Sequence, residues 1–251
     1  MSLAQLYDLR DAVAKRVPLR GPFVAIPTPV SVEIVAGAKP DFICIDTEHS
    51  PISDGLLTDM LRAADVARIP AIVRVRSNLP QNISAALDAG ACGVLVPHIS
   101  SAVEAKAVVK AARFAPHGAR GAGPGRAASY LRNISGSIER ARKETFVAIQ
   151  LETLQAVENV EEILAVAGVD LVFIGPGDLG VDAAAHTGDV TVDALIERLV
   201  SAAQAADVPV GIFTADRSAS KRWLARLSFV IEGSDTLFLT QASDAAAAAL
   251  D

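Results

Sequence analysis

The chain has 251 residues, 51% hydrophobic and 21% charged, which suits one large α/β barrel of about 250 residues. Its 23 Lys and Arg stand against 29 Asp and Glu, and a net charge of −6 excludes a general surface for nucleic acid or anionic membrane. It does not exclude a small anionic ligand, because one local arginine overrides the mean field.

The first sixteen residues, MSLAQLYDLRDAVAKR, scatter their charges and contain no continuous apolar stretch, so a signal peptide is not expected. No later apolar run approaches the roughly 20 residues that cross a bilayer, and a cytoplasmic protein is the expectation. Short apolar runs then recur along the chain: 23–27 (FVAIP), 42–46 (FICID), 71–74 (AIVR), 93–97 (GVLVP), 146–152 (FVAIQLE), 171–175 (LVFIG), 209–213 (PVGIF) and 228–231 (SFVI). Such near-continuous runs predict parallel strands buried on both faces. Cys44 and Cys92 fall within apolar runs, which points to buried reduced thiols and no disulfide framework. Between the strands, 54–66, 102–114 and 190–206 carry apolar residues at helical spacing, with Ser53, Ser101 and Thr191 as N-cap candidates.

Eight strand–helix units predict a parallel sheet, closed as a single-domain (β/α)₈ TIM barrel over residues 1–251. An open doubly wound sheet is the alternative, but no G-x-G-x-x-G follows the first strand. Residues 115–145 break the rhythm, with Gly118, Gly121, Gly123, Gly125, Pro116 and Pro124. They read as a long βα loop over the active-site face, with an added helix over 127–143. The stretch 235–250 reads as a terminal helix that covers the barrel or packs on a neighbouring subunit.

Chemistry on this fold gathers at the C-terminal strand ends. The second strand is followed by Asp46, Glu48 and His49, and the alternation turns Asp46 and Glu48 to one side. The third ends in Arg74, which needs an anion: Glu48, Glu152 or a substrate carboxylate. The fifth delivers Gln150 and Glu152, and the sixth is followed by Gly177 and Asp178. Neighbouring strands lie about 4.8 Å apart, so Glu152 and Asp178 can share one cation. Two carboxylates without a His or Cys cluster suit Mg²⁺ or Mn²⁺ better than Zn²⁺. His49 suits acid–base work. Arg76, His98, Arg120, Arg126 and His186 are weaker candidates, and His117 reads as structural or exposed.

The strings DTEHSP (46–51), VRVRSN (73–78), LDAGACGVLVPHI (87–99), GARGAG (118–123), QLETLQAVEN (150–159) and VFIGPGDL (172–179), in that order, resemble the HpcH/HpaI family of metal-dependent class II pyruvate aldolases and the related 2-keto-3-deoxy sugar acid aldolases. The resemblance covers nearly the whole chain. It implies a (β/α)₈ barrel assembled as a homo-hexamer, often with the last helix exchanged between subunits. It also implies a divalent cation (Mg²⁺, Mn²⁺ or Co²⁺) held by Glu152 and Asp178, and pyruvate or its enolate on that ion. Arg74, Gly177, Asp178 and Gln150 would be the substrate-binding positions. Asp46, Glu48 and Gln150 would hold waters around the ion. His49 would be the acid/base, paired with Asp88 from a neighbouring subunit. The implied reaction is reversible cleavage of a 4-hydroxy-2-keto acid to pyruvate, or a related 2-keto acid, and an aldehyde. Such chemistry needs no Schiff-base lysine, and Lys106, Lys110, Lys143 and Lys221 all read as helical.

The sequence departs from the family at 180–190 (GVDAAAHTGDV), at GIFTAD of the seventh strand and at Pro97-His98, which leaves the aldehyde open. A citrate-lyase-β-like acyl-CoA lyase and a non-catalytic binding barrel are the alternatives.

Overall fold

The computed structural model describes residues 8–186 and 190–249. Eight parallel strands form a closed barrel in chain order: β1 (Leu19–Val24), β2 (Ile43–Asp46), β3 (Ala71–Arg74), β4 (Gly93–Val96), β5 (Phe146–Leu151), β6 (Leu171–Ile174), β7 (Val210–Thr214) and β8 (Phe229–Ser234), with β8 closing on β1. The helices are α1 (Leu9–Ala14), α2 (Pro29–Gly37), α3 (Asp54–Val66), α4 (Pro80–Ala89), α5 (Ala102–Ala112), α6 (Ile134–Glu144), α7 (Leu154–Glu158), α8 (Val160–Leu164), α9 (Pro176–His186), α10 (Val192–Ala205), α11 (Arg217–Leu224) and α12 (Asp235–Ala248). Ser53, Ser101 and Thr191 cap α3, α5 and α10 as expected, each accepting a backbone N–H in the first turn.

The alternation of each strand divides the core in two. Outward residues such as Val73, Val94, Ile149 and Ile174 pack under the helices. Inward residues fill the barrel, where Phe42 stacks on Phe229 at 4.4 Å and Phe146 and Phe173 close around the same ring at 5.8 and 6.4 Å. Gly211 is required there: a Cβ would meet Phe229 at 2.8 Å. Leu9 and Val13 of α1 join this inner cluster and plug the end where the strands begin. The interior is thus apolar at the bottom and becomes polar towards the strand ends.

Two expectations are corrected. The first strand begins at Leu19 and not at Phe23, because Arg20 and the Gly21-Pro22 pair hide its edge from a search for apolar runs. Residues 115–145 do not form a βα loop over the mouth. The helix after β4 is α5, so the irregular stretch joins α5 to β5 at the opposite end, against Asp65, Asp88 and Thr145. Its helix is shorter than expected and starts at Ile134, after a turn of 3₁₀ helix at Arg126–Ala128. The terminal helix spans Asp235–Ala248; the expected final residue, Leu250, and positions 187–189 of the 180–190 segment lie outside the described residues.

Candidate active site at the C-terminal mouth

The strand ends surround a cavity of about 530 Å³. Phe23 comes from β1, Asp46 and His49 follow from β2, and Arg74 ends β3. Gln150 rises from β5, Gly175–Asp178 follow β6, Phe213 lies in β7, and Ser234 and Thr236 stand at the start of α12. One cavity therefore gathers six of the expected site residues: Asp46, His49, Arg74, Gln150, Gly177 and Asp178.

Arg74 is the fixed point. Its Nε and Nη2 donate to Asp46 Oδ1 and Oδ2 at 2.9 and 2.7 Å, a two-pronged grip that the parallel register sets by placing Arg74 opposite Asp46. Phe23 lies beneath the guanidinium, 4.2 Å from its ring centre. Glu48 Oε2 stands 3.3 Å from Arg74 Nε. Of the anions expected for Arg74, Glu48 is found beside it, and Asp46, expected among the water-holding residues, is the nearer partner. Burial opposes the charge of Arg74, but the hydrogen bonds and charge of Asp46, followed by Glu48, outweigh it and hold its pKa above the ordinary arginine value.

Glu48 is buried beside this pair, with a side chain only 6% exposed. Burial raises its carboxyl above the usual range, opposed first by Arg74 and then by His49, while Glu152 adds to the rise. Glu152 is fully buried at the end of β5. Its Oε2 accepts from Gln150 Nε2, and its Oε1 accepts from the backbone N–H of His98 at 2.8 Å. Gly175 must be glycine here, since a Cβ would lie 2.8 Å from Glu152 Oε2 and 3.1 Å from Gln150 Nε2. His98, a weak candidate by sequence, bridges the acids. Its Nε2 lies 2.9 Å from Glu48 Oε1 and its Nδ1 lies 3.1 Å from Glu152 Oε1.

The donor set fits a divalent cation. Asp46 and Glu48 both lie against the Arg74 guanidinium, and ligand atoms of Glu48, His98 and Glu152 lie within 4.8 Å of one another. Glu48 Oε2 and Gln150 Oε1 are buried with no hydrogen-bond donor. Arg74 Nε at 3.3 Å gives Glu48 Oε2 a counter-charge, and Gln150 Oε1 is left needing a donor. Asp178, in the first turn of α9, is exposed at the cavity wall.

His49 is 59% exposed, and its Nε2 stands 3.7 Å from Glu48 Oε2. Asp88 is not in this cavity. It lies in the last turn of α4 at the other face of the barrel and accepts from Arg120 Nη2 at 2.7 Å. The remaining weak candidates have structural partners: Arg76 binds Asp54, Arg126 binds Asp65, and His186 binds Asp182. His117 is exposed, as expected.

The sequence profile of the HpcH/HpaI aldolase/citrate lyase family matches residues 20–242. The chain belongs to this family. It is 36% identical over 235 residues to a protein of Shigella sonnei (strain Ss046) named 4-hydroxy-2-oxo-heptane-1,7-dioate aldolase, covering 92% of this chain and 90% of that one. Among solved structures, an HpcH/HpaI aldolase/citrate lyase family protein of Burkholderia cenocepacia J2315 superposes with a TM-score of 0.89 at 31% identity, covering 96% of this chain and 98% of that one. The citrate synthase SbnG gives a TM-score of 0.86 at 27% identity, covering 96% of each chain.

Proposed function

We propose that this chain is a class II aldolase, a carbon–carbon lyase that reversibly cleaves 4-hydroxy-2-keto acids to pyruvate, or a related 2-keto acid, and an aldehyde. The observation that carries this reading is the joining of His49, Arg74, Gln150, Gly177 and Asp178 in one cavity, with Glu152 against its Gly175 wall. Members of this family with aldolase names match the chain over nearly its full length.

Cleavage between C3 and C4 leaves negative charge on the oxygen of the keto carbon. Arg74 presents a guanidinium whose position is fixed by Asp46 beside it and Phe23 below it, so it meets that charge without reorganising. Glu152 and Asp178 would hold a divalent cation, which when bound would supply Lewis-acid stabilisation of the same charge. The N-terminal turn of α9, with Gly177 and Asp178, borders the substrate carboxylate, where backbone N–H groups favour an anion. Gln150, bonded to Glu152 through its amide, keeps its free Oε1 for a donor on the substrate or on a bound water. His49 is open to the cavity and takes the proton of the 4-hydroxyl. The apolar wall of Phe23, Phe173 and Phe213 excludes water from the donor side. The reading treats residues 1–251 as one domain, acting in the cytoplasm as a homo-hexamer with its last helix on a neighbour, and with Asp88 of one subunit serving His49 of another. No helix among the described residues is long and apolar enough to cross a membrane.

The test is pyruvate release from a simple 4-hydroxy-2-keto acid, coupled to lactate dehydrogenase, with chelator-treated protein before and after addition of Mg²⁺, Mn²⁺ or Co²⁺. Activity that appears only with metal is the expected result. Absence of pyruvate with every ion, together with turnover of a malyl-CoA-type thioester, would replace the aldolase by an acyl-CoA lyase.

A further inference from the structure

His98 stands where neither a core residue nor a surface residue would stand. It follows β4, and its backbone lies in the left-handed region at φ 58°, which is uncommon outside glycine and clusters at functional sites. Both ring nitrogens face carboxylates, and its own N–H binds Glu152. The ring is nevertheless 57% exposed, so an ion from solution reaches it without rearrangement of the core.

Two ligands about 2.1 Å from a metal at adjacent corners of an octahedron lie about 3.0 Å apart. The separation between His98 Nδ1 and Glu152 Oε1 is 3.1 Å. A metal-bound imidazole usually donates its other N–H to a carboxylate, which fixes the tautomer and the ring plane. His98 Nε2 has that partner in Glu48 Oε1 at 2.9 Å, on a side chain buried and anchored beside Arg74. The barrel order then sets His98 after β4, Glu152 at the end of β5 and Asp178 after β6, so Glu152 is flanked on both sides.

We propose that His98 is a protein ligand of the divalent cation through Nδ1, oriented by Glu48, and that this nitrogen tunes the site to Mn²⁺ or Co²⁺ over Mg²⁺. The inference rests on the metal-dependent reading above and extends it to the chemistry of the ion. Mg²⁺ prefers an all-oxygen shell, whereas imidazole suits the borderline ions.

The experiment loads the chelator-treated full chain with Mn²⁺ alone and records pulsed electron paramagnetic resonance. The wild type should bind Mn²⁺ and show coupling to a histidine nitrogen that changes when histidine is selectively labelled with ¹⁵N. The coupling should vanish in His98→Met and His98→Gln. Calorimetric titration should show Mn²⁺ affinity falling about tenfold or more in His98→Met, while Mg²⁺ affinity changes less than about threefold. Because the labelling signal needs no variant, a misfolded substitution does not remove the test. Mn²⁺ bound without histidine coupling, or with coupling that survives in a folded His98→Met, overturns the inference and leaves the metal site standing. Failure to bind Mn²⁺, Co²⁺ or Mg²⁺ at all overturns the metal-dependent reading and this inference with it.

Discussion

Removing Arg74 removes two things. It takes the guanidinium from the cavity, and it leaves Asp46 and Glu48 buried without their counter-charge. Breaking a buried pair from one side costs about 3–5 kcal/mol, so Arg74→Ala is expected to lose both activity and stability. Arg74→Lys separates the two effects. It keeps the charge near Asp46 but loses the two-pronged grip and the planar stack on Phe23. Its melting temperature should stay closer to wild type than that of Arg74→Ala, while kcat falls about a hundredfold or more. Full activity in Arg74→Lys would mean that a point charge suffices and that the fork only holds Asp46. Much of this site is legible in the sequence because the alternation of a strand fixes direction, which is how Asp46, Glu48, Gln150 and Glu152 are read at once. The partner chosen by Arg74 is not legible. Asp46 sits directly across from it by a register that only the closed barrel defines. His98 is undervalued for a related reason. It lies beyond the strand after Pro97, and only the left-handed turn of its backbone brings the ring back onto Glu48 and Glu152.

At the scale of elements, α12 is the exception to the packing of the barrel. Its first residue, Asp235, is buried and ties the helix to the chain after β1: Oδ1 accepts from the Ala25 N–H at 2.8 Å, and Oδ2 accepts from the Ile26 N–H at 3.0 Å and from Ser31 Oγ at 2.5 Å. Beyond that anchor the helix is largely bare, with Phe238 41% and Leu239 59% exposed. An apolar face left exposed among the described residues suits a contact between subunits. Leu239→Glu gives up little apolar packing within its own chain, so its circular dichroism should match wild type while light scattering after size exclusion shows a smaller particle. An unchanged mass would overturn a subunit contact through this helix. The terminal helix was legible from its composition, and β2, β3, β4 and β6 from their apolar runs. The position of the segment before β5 is not legible, because glycine and proline mark irregular backbone without saying at which end of the barrel it lies. The helix over Ala102–Ala112 settles that, since a strand must follow a helix from the bottom.

Over the whole molecule, the two thiols and the two ends of the barrel matter most. Cys44 points into the barrel and Cys92 lies at the base of β4, both buried. Burial is the largest cause that pushes the Cys92 thiol up to about 12 and raises that of Cys44 further above the ordinary value near 9. The folded state thus keeps both protons at a pH where the unfolded chain has released them. Stability is fully present below about pH 9 and falls above it, by about 1.4 kcal/mol per pH unit for each thiol. Urea midpoints should drop steeply between pH 9 and 11, and the native protein should leave a thiol reagent unreacted at pH 8; fast labelling there would place a thiol at the surface. The second property concerns Asp88. It lies at the end of the barrel opposite His49, held by Arg120, so one chain cannot join the two residues and any dyad must cross a subunit boundary. His49→Ala and Asp88→Ala should each be nearly inactive alone while still binding metal, because neither is bonded to Glu152. When equal amounts are unfolded and reassembled together, a site that receives the intact His49 of one variant and the intact Asp88 of the other is restored. Random assembly in a closed ring makes about one site in four of that kind. Recovery near a quarter of wild-type activity therefore supports a shared site, and no recovery in oligomers of confirmed mixed composition would overturn a dyad shared across subunits.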